Sequence, residues 1–349
     1  MKKILILLLL IPINIKAIET FATSAILIDT DSNRILYSKD IHNKRSIASI
    51  SKIMTAILAI ESNKLDEIVT IGNEIEDAYG SGIYIKEGEQ IKLEDLVYGL
   101  MLRSGNDAAL AIAKYTGKNI ENFIEMMNKK AQELGMKNTI FRNPSGLDEE
   151  DGGNISTAYD MSLLISYAIK NEKFKKIVGT KKHKVETNMN VYSWTNKNKL
   201  LFSYPNTTGG KTGYTKIAKR TLVTTATKDN LNLAVVTLND GNDFEDHKKL
   251  FEYGFNTYQN YKILEKGKIF IPDEKNEFEY YIENDFTYPL QEEEKNTIHL
   301  KYIIEKQENT GIIEVYKEDE IIHKEPLLKK TKPKEKTTIL KKIKDWFKW

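Results

Sequence analysis

Three short motifs contain residues whose types and spacing could support nucleophilic chemistry. Ser49-Ile-Ser-Lys52 puts a hydroxyl and an amine three residues apart, Ser104-Gly-Asn106 puts a second hydroxyl near an amide, and Lys211-Thr-Gly213 adds a cation. A serine is a poor nucleophile until a neighbouring group takes its proton. A lysine can take that proton only when burial or an adjacent cation lowers its pKa. The motifs therefore raise the hypothesis of a lysine-activated serine.

The first motif makes physical sense on a helix. Residues 46–62 have apolar side chains at helical spacing, which predicts a helix there. Side chains three residues apart share a helix face, so Lys52 can reach the Ser49 hydroxyl. Ser49, near the start of that helix, would lie at the positive end of its dipole. Alone the motif is weak, because an exposed Ser and Lys at this spacing arise by chance in a lysine-rich chain.

The second motif falls at a polar break between two predicted helices, residues 93–101 and 108–115. Breaks of this kind expose side chains at functional sites. Taken alone, Ser104-Gly-Asn106 is better explained as an ordinary turn, since these three residue types favour turns.

The third motif stands just before a predicted strand, residues 221–227. Lys211 there would offer a fixed cation to a substrate carboxylate, and Gly213 would let a substrate backbone lie close. The alternative is a glycine-rich hairpin loop. Gly209-Gly-Lys-Thr212 also resembles the end of a P-loop, but the first glycine of that motif would fall on Pro205.

Composition excludes several other classes of protein. The chain has no cysteine, which rules out a thiol nucleophile, a disulfide scaffold and a cysteine metal site. Its five histidines are scattered without metal-ligand spacing, and no G-x-S-x-G motif is present. A net charge of +2 gives no strong field toward nucleic acid. We therefore predict no metal, no cofactor and no nucleic-acid partner.

The ends of the chain predict export and membrane attachment. Residues 1–17 have a basic start, an apolar run of about ten residues and Ala17 at a cleavage position, the form of a signal peptide. The alternative is an uncleaved anchor. At the other end, residues 328–349 are predicted to be a basic linker followed by an amphipathic helix that binds a membrane surface. The alternative for this segment is a disordered basic tail.

Between these ends the pattern predicts two domains. In residues 18–260, strands at the two ends (24–29 and 34–38, then 221–227 and 231–238) enclose helices that include 119–134, 159–171 and 247–258. The terminal strands could pair in one antiparallel sheet with helices packed on it, which is an α+β fold. Residues 261–327 contain short strand-like runs separated by turn residues and predict a small all-β domain.

The order of the three motifs resembles that of penicillin-binding proteins and class A β-lactamases. The similarity to D-Ala-D-Ala carboxypeptidases is wider and runs from about residue 20 to 260. It is clearest in five segments: 45–55, 81–89, 102–109, 128–147 and 209–215. The β-rich tail and amphipathic end also resemble that family's layout. The resemblance implies a β-lactamase/transpeptidase-like α+β domain followed by the small β domain.

The resemblance also implies a mechanism on peptidoglycan peptides ending in D-Ala-D-Ala. Ser49 would attack the penultimate D-Ala carbonyl, Lys52 would take its proton, and Ser104 would relay a proton to the departing D-alanine. β-Lactam antibiotics such as penicillin would acylate the same serine and remain bound. The protein would work outside the cytoplasmic membrane, in the cell-wall space.

Substrate binding is implied at five further positions. Asn106 would hold the substrate amide, Lys211 and Thr212 would bind the terminal carboxylate, and the backbone N–H groups of Ser49 and Tyr214 would form the oxyanion hole. The binding residues are thus Asn106, Lys211, Thr212, Gly213 and Tyr214, with Lys197 in place of an arginine that some relatives carry upstream of K-T-G.

Three other activities remain open at this point. A D,D-endopeptidase would use the same residues. A class A-like β-lactamase needs a carboxylate for deacylation, and only Asp151-Gly-Gly-Asn154 weakly resembles the required E-x-x-N. A catalytically inactive wall-binding protein would be expected to have lost a motif residue, and all three motifs are intact.

Overall fold

The computed structural model describes residues 18–148, 153–271, 278–304 and 310–331. The chain divides into two units, residues 1–256 and 257–349. The predicted signal peptide (1–17) and amphipathic segment (337–349) lie outside the described residues. Among the helices that are described, none is long and apolar enough to cross a membrane.

The described residues of the first unit form eleven strands and eight α-helices, the last of which ends one residue beyond the unit. The strands are β1 (Ser24–Asp29), β2 (Ile35–Lys39), β3 (Arg45–Ser46), β4 (Ile68–Thr70), β5 (Gln90–Lys92), β6 (Ile155–Ser156), β7 (Lys182–Glu186), β8 (Val191–Thr195), β9 (Thr207–Thr215), β10 (Lys219–Lys228) and β11 (Leu231–Leu238). The helices are α1 (Lys52–Glu61), α2 (Leu93–Arg103), α3 (Asn106–Gly117), α4 (Ile120–Glu133), α5 (Ala158–Ala168), α6 (Glu172–Gly179), α7 (Leu200–Ser203) and α8 (Asp243–Thr257).

One five-stranded antiparallel sheet, in the order β2-β1-β11-β10-β9, organises this unit. The predicted pairing of strands from the two ends of the region 18–260 is confirmed, since Ser24 of β1 lies opposite Leu238 of β11. Helix α5 packs against β1 and β11. Gly254 brings α8 close to the sheet, because a Cβ there would come within 2.6 Å of Leu233 and 3.1 Å of Leu27. Strand β9 is left at the edge of this sheet.

Helix α1 lies at the centre of the helical layer and is packed by α2, α3 and α5. All its residues except the last, Glu61, are buried, including the charged Lys52. Neighbouring helices begin at side-chain caps, where the Asn119 side chain accepts a hydrogen bond from Asn122 N (2.7 Å) and Thr157 does the same for Asp160 N (3.0 Å). These caps fix the residues at which α4 and α5 begin.

The structure differs from the sequence predictions at two of the motifs. Residues 48–51, which contain Ser49, form a 3-10 turn, and α1 begins only at Lys52. The K-T-G motif precedes β10, as predicted, but it also lies within a strand of its own, β9, which the sequence analysis did not predict. Two adjacent glycines weaken the strand pattern of β9, but pairing with β10 supplies the order that local propensity does not. Helix α8 also begins four residues before the predicted position.

The second unit is built from strands, as the sequence predicted. They are β12 (Gln259–Leu264), β13 (Gly267–Ile269), β14 (Phe278–Ile282), β15 (Phe286–Leu290), β16 (Ile298–Ile304), β17 (Thr310–Lys317) and β18 (Glu320–Thr331). Five of them form a sheet in the order β13-β14-β18-β17-β16, and β12 pairs with β15. Buried Ile313, Val315 and Leu327 belong to its core. Strand β18 runs to Thr331, into the segment predicted as a linker.

Candidate active site

A groove passes over Ser49 in the first unit and connects all three motifs. It consists of two cavities of about 330 and 360 Å³, which share Ser49, Ser81, Lys197 and Tyr214 in their linings. Volumes of this size accommodate small peptides or drug-sized ligands. Ser49, half-buried in its 3-10 turn, is thus the hydroxyl that both halves of the groove reach.

The Lys52 amine lies against the Ser49 hydroxyl. Its Nζ donates to Ser49 Oγ (3.1 Å), to Asn106 Oδ1 (2.7 Å) and to the main-chain oxygen of Ser145. Asn106 is oriented in turn by its Nδ2, which donates to Tyr79 O (2.5 Å). The side chains predicted to attack, to take the proton and to hold the substrate amide are therefore in one hydrogen-bonded group.

The environment of Lys52 changes its protonation. Complete burial, and secondarily the nearby Lys197 cation, lower the pKa of Lys52 to about 7, while the Asp107 carboxylate acts in the opposite direction. Each Lys52 acceptor named above is a neutral oxygen, so among the described residues these hydrogen bonds bring no carboxylate to stabilise the charged form. Near neutral pH a substantial share of Lys52 is therefore an uncharged amine, which can accept the Ser49 proton.

Two glycines let neighbouring segments approach the Ser49 turn. A Cβ on Gly146, whose φ is +78°, would lie 2.0 Å from Ala48 O. A Cβ on Gly213 would lie 3.0 Å from Ser49 N and 2.4 Å from Thr221 Oγ1. Gly213 was predicted to give room to a substrate backbone, and here the structure shows that it gives room to the chain carrying Ser49. Without these glycines the serine would be displaced relative to β9.

Ser104 faces the K-T-G strand from the break between α2 and α3. It has left-handed backbone geometry (φ 64°), which ends α2 and turns the chain into α3. Lys211 Nζ donates to Ser104 Oγ (3.0 Å) and to Thr212 O (2.6 Å). The second and third motifs, far apart in sequence, are thus joined by a direct hydrogen bond.

Lys211 is also buried and carries an altered pKa. Loss of solvent, followed by repulsion from Lys52 and Lys197, lowers the pKa of Lys211 well below its ordinary value. A carboxylate bound in the groove would oppose this shift, because an adjacent negative charge stabilises the ammonium form. The site is therefore short of negative charge and suited to an anionic ligand.

The structure adds a main-chain group to which the sequence analysis gave no role. The Ser145 carbonyl that accepts from Lys52 belongs to a loop held by Asn143, whose Oδ1 accepts from Gly146 N (2.7 Å), and by Asn154, whose Nδ2 donates to Asn143 O (2.9 Å). The available signal was the Asn143-Pro-Ser-Gly segment, which resembled the family but indicated no contact.

Lys197 links the two halves of the groove. Its Nζ donates to Ser81 Oγ (3.0 Å), and burial together with the Arg103 cation lowers its pKa. The loop carrying Ser81 is fixed by the Asp107 carboxylate, which accepts from Ile83 N (3.0 Å) and Tyr84 N (2.6 Å). The sequence analysis gave no role to Asp107, and the structure shows that its carboxylate holds this loop.

The remaining predicted residues, Thr212 and Tyr214, line the groove together with Ser49. Thr212 is half-buried, and Tyr214 has 64% of its surface exposed. The backbone oxyanion hole at Ser49 and Tyr214 stays a prediction. In the part of the chain that the structure describes, no group of three or more His, Asp or Glu side chains could hold a metal ion.

Comparison with known proteins agrees with this geometry. Residues 13–242 match the peptidase family described as D-alanyl-D-alanine carboxypeptidase. The chain is 34% identical to the D-alanyl-D-alanine carboxypeptidase DacF of Bacillus subtilis over 256 residues, which cover 71% of this chain but only 65% of that protein. It is 31% identical to DacD of Escherichia coli over 353 residues, covering 91% of this chain and 88% of that one.

Solved structures give the same result for the fold. Penicillin-binding protein 6B of Escherichia coli superposes with a TM-score of 0.72 at 30% identity, covering 91% of this chain and 98% of that one. A mutant of the Streptomyces K15 DD-transpeptidase superposes with a TM-score of 0.65 at 31% identity, covering 69% and 100%. The chain therefore belongs to the D-alanyl-D-alanine carboxypeptidase family of serine peptidases.

Proposed function

We propose that this protein removes the terminal D-alanine from peptidoglycan peptides through an acyl-enzyme on Ser49, and that penicillins acylate the same residue. The observation that carries the proposal is the buried Lys52 amine, 3.1 Å from Ser49 Oγ and with a pKa of about 7. A buried lysine of ordinary pKa would be protonated and could not act as a base.

In the first step Ser49 Oγ attacks the carbonyl of the penultimate D-alanine while neutral Lys52 takes the hydroxyl proton. Asn106, whose Oδ1 accepts from Lys52, holds the substrate amide. Backbone N–H groups of Ser49 and Tyr214 stabilise the negative oxygen that develops, which in other serine enzymes is worth about 3–4 kcal/mol per donor.

In the second step the amide bond breaks and D-alanine leaves with a proton. Ser104 Oγ, which accepts a hydrogen bond from Lys211 Nζ at 3.0 Å, is placed to deliver that proton. The proton that Lys52 took from Ser49 then replaces it on Ser104, so Lys52 returns to its neutral form. Lys211, Thr212 and Lys197 hold the terminal carboxylate. Water then hydrolyses the ester, with neutral Lys52 as base, and restores the Ser49 hydroxyl.

We place this reaction outside the cytoplasmic membrane. Residues 1–17 direct export, and residues 328–349 hold the protein on the membrane surface, with the small β domain as a spacer. Removal of residues 337–349 from the signal-cleaved protein is expected to release it into the soluble fraction of fractionated cells. Unchanged membrane association of the truncated protein would count against the anchor.

The first test is incubation of the purified protein and its Ser49→Ala variant with a labelled penicillin and, separately, with a peptide ending in D-Ala-D-Ala. We expect a lasting adduct by intact mass, and D-alanine release, from the parent alone. Retention of the adduct in Ser49→Ala would exclude Ser49 as the nucleophile. Absence of both adduct and release would favour the inactive wall-binding protein.

A class A-like β-lactamase is the alternative hypothesis. It predicts a penicillin adduct that disappears within seconds, without D-alanine release. The loop beside Ser49 supports the carboxypeptidase instead. In that loop the Ser145 carbonyl, and not a carboxylate, accepts from Lys52. Asp148, the nearest described carboxylate along that loop, accepts from Ser46 Oγ (3.2 Å). Asp151 lies outside the described residues.

A further inference from the structure

The acyl side of the proposed substrate reaches into a part of the groove whose side chains have no role so far. Ser104 and Thr212, which face the departing D-alanine, line the cavity of about 330 Å³, whereas Asn106 lines the cavity of about 360 Å³. The residues that precede the two D-alanines therefore lie along the second cavity. Tyr84 lines that cavity and has 76% of its surface exposed, so its ring is open to a ligand.

The backbone of Tyr84 has a conformation that tyrosine rarely adopts. Its φ is +64°, in the left-handed region that glycine and asparagine enter more easily than a bulky residue does. A tyrosine this exposed gains little from burial to offset the strain. Strained backbone of this kind is concentrated at binding and catalytic sites, where the surrounding structure maintains it. The conformation of Tyr84 therefore points to a contact made by its side chain.

Side chains from two other elements hold both main-chain polar groups of Tyr84. The Asp107 carboxylate, on α3, accepts a hydrogen bond from Tyr84 N (2.6 Å). The Tyr192 hydroxyl, on β8, lies 3.3 Å from Tyr84 O and 3.0 Å from Glu89 Oε2, and its single proton is shared between these two acceptors. Burial, and secondarily the hydrogen bond to Glu89, raise the pKa of Tyr192, so the hydroxyl keeps this proton.

The Glu89 carboxylate links the loop that carries Tyr84 to the hairpin of β7 and β8. Glu89 is fully buried and also accepts hydrogen bonds from Thr187 Oγ1 (2.7 Å) and Lys86 N (3.0 Å). A buried carboxylate is costly unless its hydrogen-bond donors stay in place. Movement of the loop away from the hairpin would separate Glu89 from the donors on Thr187 and Tyr192, so the hairpin fixes the position of Tyr84.

We propose that Tyr84 is a specificity-determining residue whose ring packs against the side chain of the stem residue that precedes the two D-alanines. The ring offers an apolar face, so the favoured side chain has a long aliphatic stem, as a diamino residue does, with its polar end in water. Asp107, Tyr192 and Glu89 are positioning residues for the ring and do not touch the substrate. This inference rests on the proposed acyl-enzyme chemistry, because that chemistry sets the direction in which the substrate lies.

The test uses the full-length protein without its signal segment and two acetylated tripeptides that end in D-Ala-D-Ala. The residue before the D-alanines is norleucine, with a straight aliphatic side chain, in one peptide and glycine in the other. Tyr84→Asn removes the ring but suits the left-handed backbone, Tyr84→Phe keeps the ring, and Tyr192→Phe removes the shared proton. Lys118→Asn is the matched control, because Lys118 is also exposed and left-handed (φ 70°) but follows α3 outside both cavities.

We expect the parent to have the higher kcat/KM on the norleucine peptide, and Lys118→Asn to have the parent ratio between the two peptides. In Tyr84→Asn this ratio should fall roughly tenfold, the size expected when an aromatic ring loses an apolar contact. Tyr84→Phe should keep the parent ratio, and Tyr192→Phe should lower it less than Tyr84→Asn does. Thermal melting should show both asparagine variants to be as stable as the parent or more so, since asparagine tolerates the left-handed region.

A parent ratio near one, or an unchanged ratio in Tyr84→Asn, would overturn this inference while D-alanine release left the proposed function standing. A loss in Tyr84→Phe as large as that in Tyr84→Asn would assign the effect to the phenol hydroxyl and contradict packing by the ring. A parent ratio in Tyr192→Phe would remove its positioning role. A protein that forms no penicillin adduct and releases no D-alanine would overturn both proposals.

Discussion

Two walls of the groove each bury a lysine amine, yet the two amines face different tasks. In the helical wall, formed by the Ser49 turn, α1 and the loop 143–148, Lys52 touches the nucleophile. In the strand wall, formed by β9, Lys211 touches Ser104 and its own strand. Burial is the main cause of the lowered pKa in both. Two equally buried lysines thus have different roles. Lys52, beside a hydroxyl, is placed to act as a base, and Lys211, beside space that admits a carboxylate, is placed to bind an anion.

The strand wall depends on the charge of its substrate more than the helical wall does. A carboxylate entering beside Lys211 provides the negative charge that burial has withheld, so the ammonium form is stabilised at the moment of binding. Lys52 receives no such charge from the substrate and stays available as a base. Binding and proton transfer are therefore assigned to different amines within one desolvated groove.

The largest expected effect comes from replacing the base. Lys52→Met should lower the rate of acylation by about 10²- to 10⁴-fold, the usual contribution of a general base. The loss should be the same for a peptide ending in a free carboxylate and for its C-terminal amide, because Lys52 is not assigned to the carboxylate. Stopped-flow acylation measures it, together with release of D-alanine from the acid and of D-alaninamide from the amide. A loss confined to the acid substrate would reverse the roles of the two walls.

Replacing the receptor should have a smaller and more selective effect. Lys211→Met removes a cation that makes a charge-assisted contact with the substrate, so we expect a roughly 10- to 100-fold loss of kcat/KM on the free acid. On the C-terminal amide, which offers no carboxylate, the same variant should lose much less. The four rates form a double-mutant cycle between Lys211 and the carboxylate. Equal losses on both substrates would mean that Lys211 serves only the position of Ser104.

The pH profile of the unmodified protein should distinguish the role of Lys52 from that of Lys211. Lys52 must be neutral to accept a proton, and its pKa is about 7, so the acylation rate should fall about tenfold per unit as pH drops below 7. Lys211 must be charged to bind a carboxylate, and its lowered pKa predicts a falling limb on the alkaline side, below its ordinary range. Penicillin acylation measured between pH 5 and 10 should give a bell. A profile that stays flat below pH 7 would remove Lys52 as the base.

The two walls also differ in how far the sequence alone could predict them. Lys52 and Ser49 are three residues apart, so their contact followed from helical spacing, although the turn at Ser49 proved to be 3-10. Lys211 and Ser104 are 107 residues apart in the chain. No local rule predicts that hydrogen bond. The resemblance to a known family assigned both residues to one active site but did not predict the contact between them.

Two features of the site were missed by the sequence analysis: a main-chain contact and a glycine-rich strand. The Ser145 oxygen that accepts from Lys52 belongs to the main chain, so the residue type at this position does not predict the contact. It could be identified only from the position of the loop beside Lys52. Residues 207–215 contain three glycines and were not recognised as a strand, because strand order there comes from pairing with β10 and not from propensity. Tertiary contacts therefore decided what local patterns left open.

The smallest expected effect comes from replacing Lys197. This residue lines both halves of the groove, so its charge affects the lysine of each wall. Its positive charge contributes to the lowered pKa of both Lys52 and Lys211, but burial is the larger cause for each. Removing a nearby cation favours the charged form of a lysine, so Lys197→Met should raise the pKa of Lys52 and move the rising limb of the acylation profile to higher pH. At pH 7 this costs less than about tenfold in rate.

A second readout distinguishes this electrostatic role from a contact with the substrate carboxylate. Penicillin acylation of Lys197→Met at a pH well above the rising limb should return to the parent rate if the charge acts only through Lys52. If the variant's acylation rate stays below that of the parent at this pH, peptide kinetics identify the cause. A KM raised for the peptide with a free C-terminal carboxylate, but not for its C-terminal amide, would assign Lys197 to the carboxylate together with Lys211. Lys228→Met, which removes an equal charge at the far end of β10, should shift neither limb, because an exposed charge that distant is screened by water and salt. A profile for Lys197→Met that coincides with the parent at every pH would show that the two walls titrate independently.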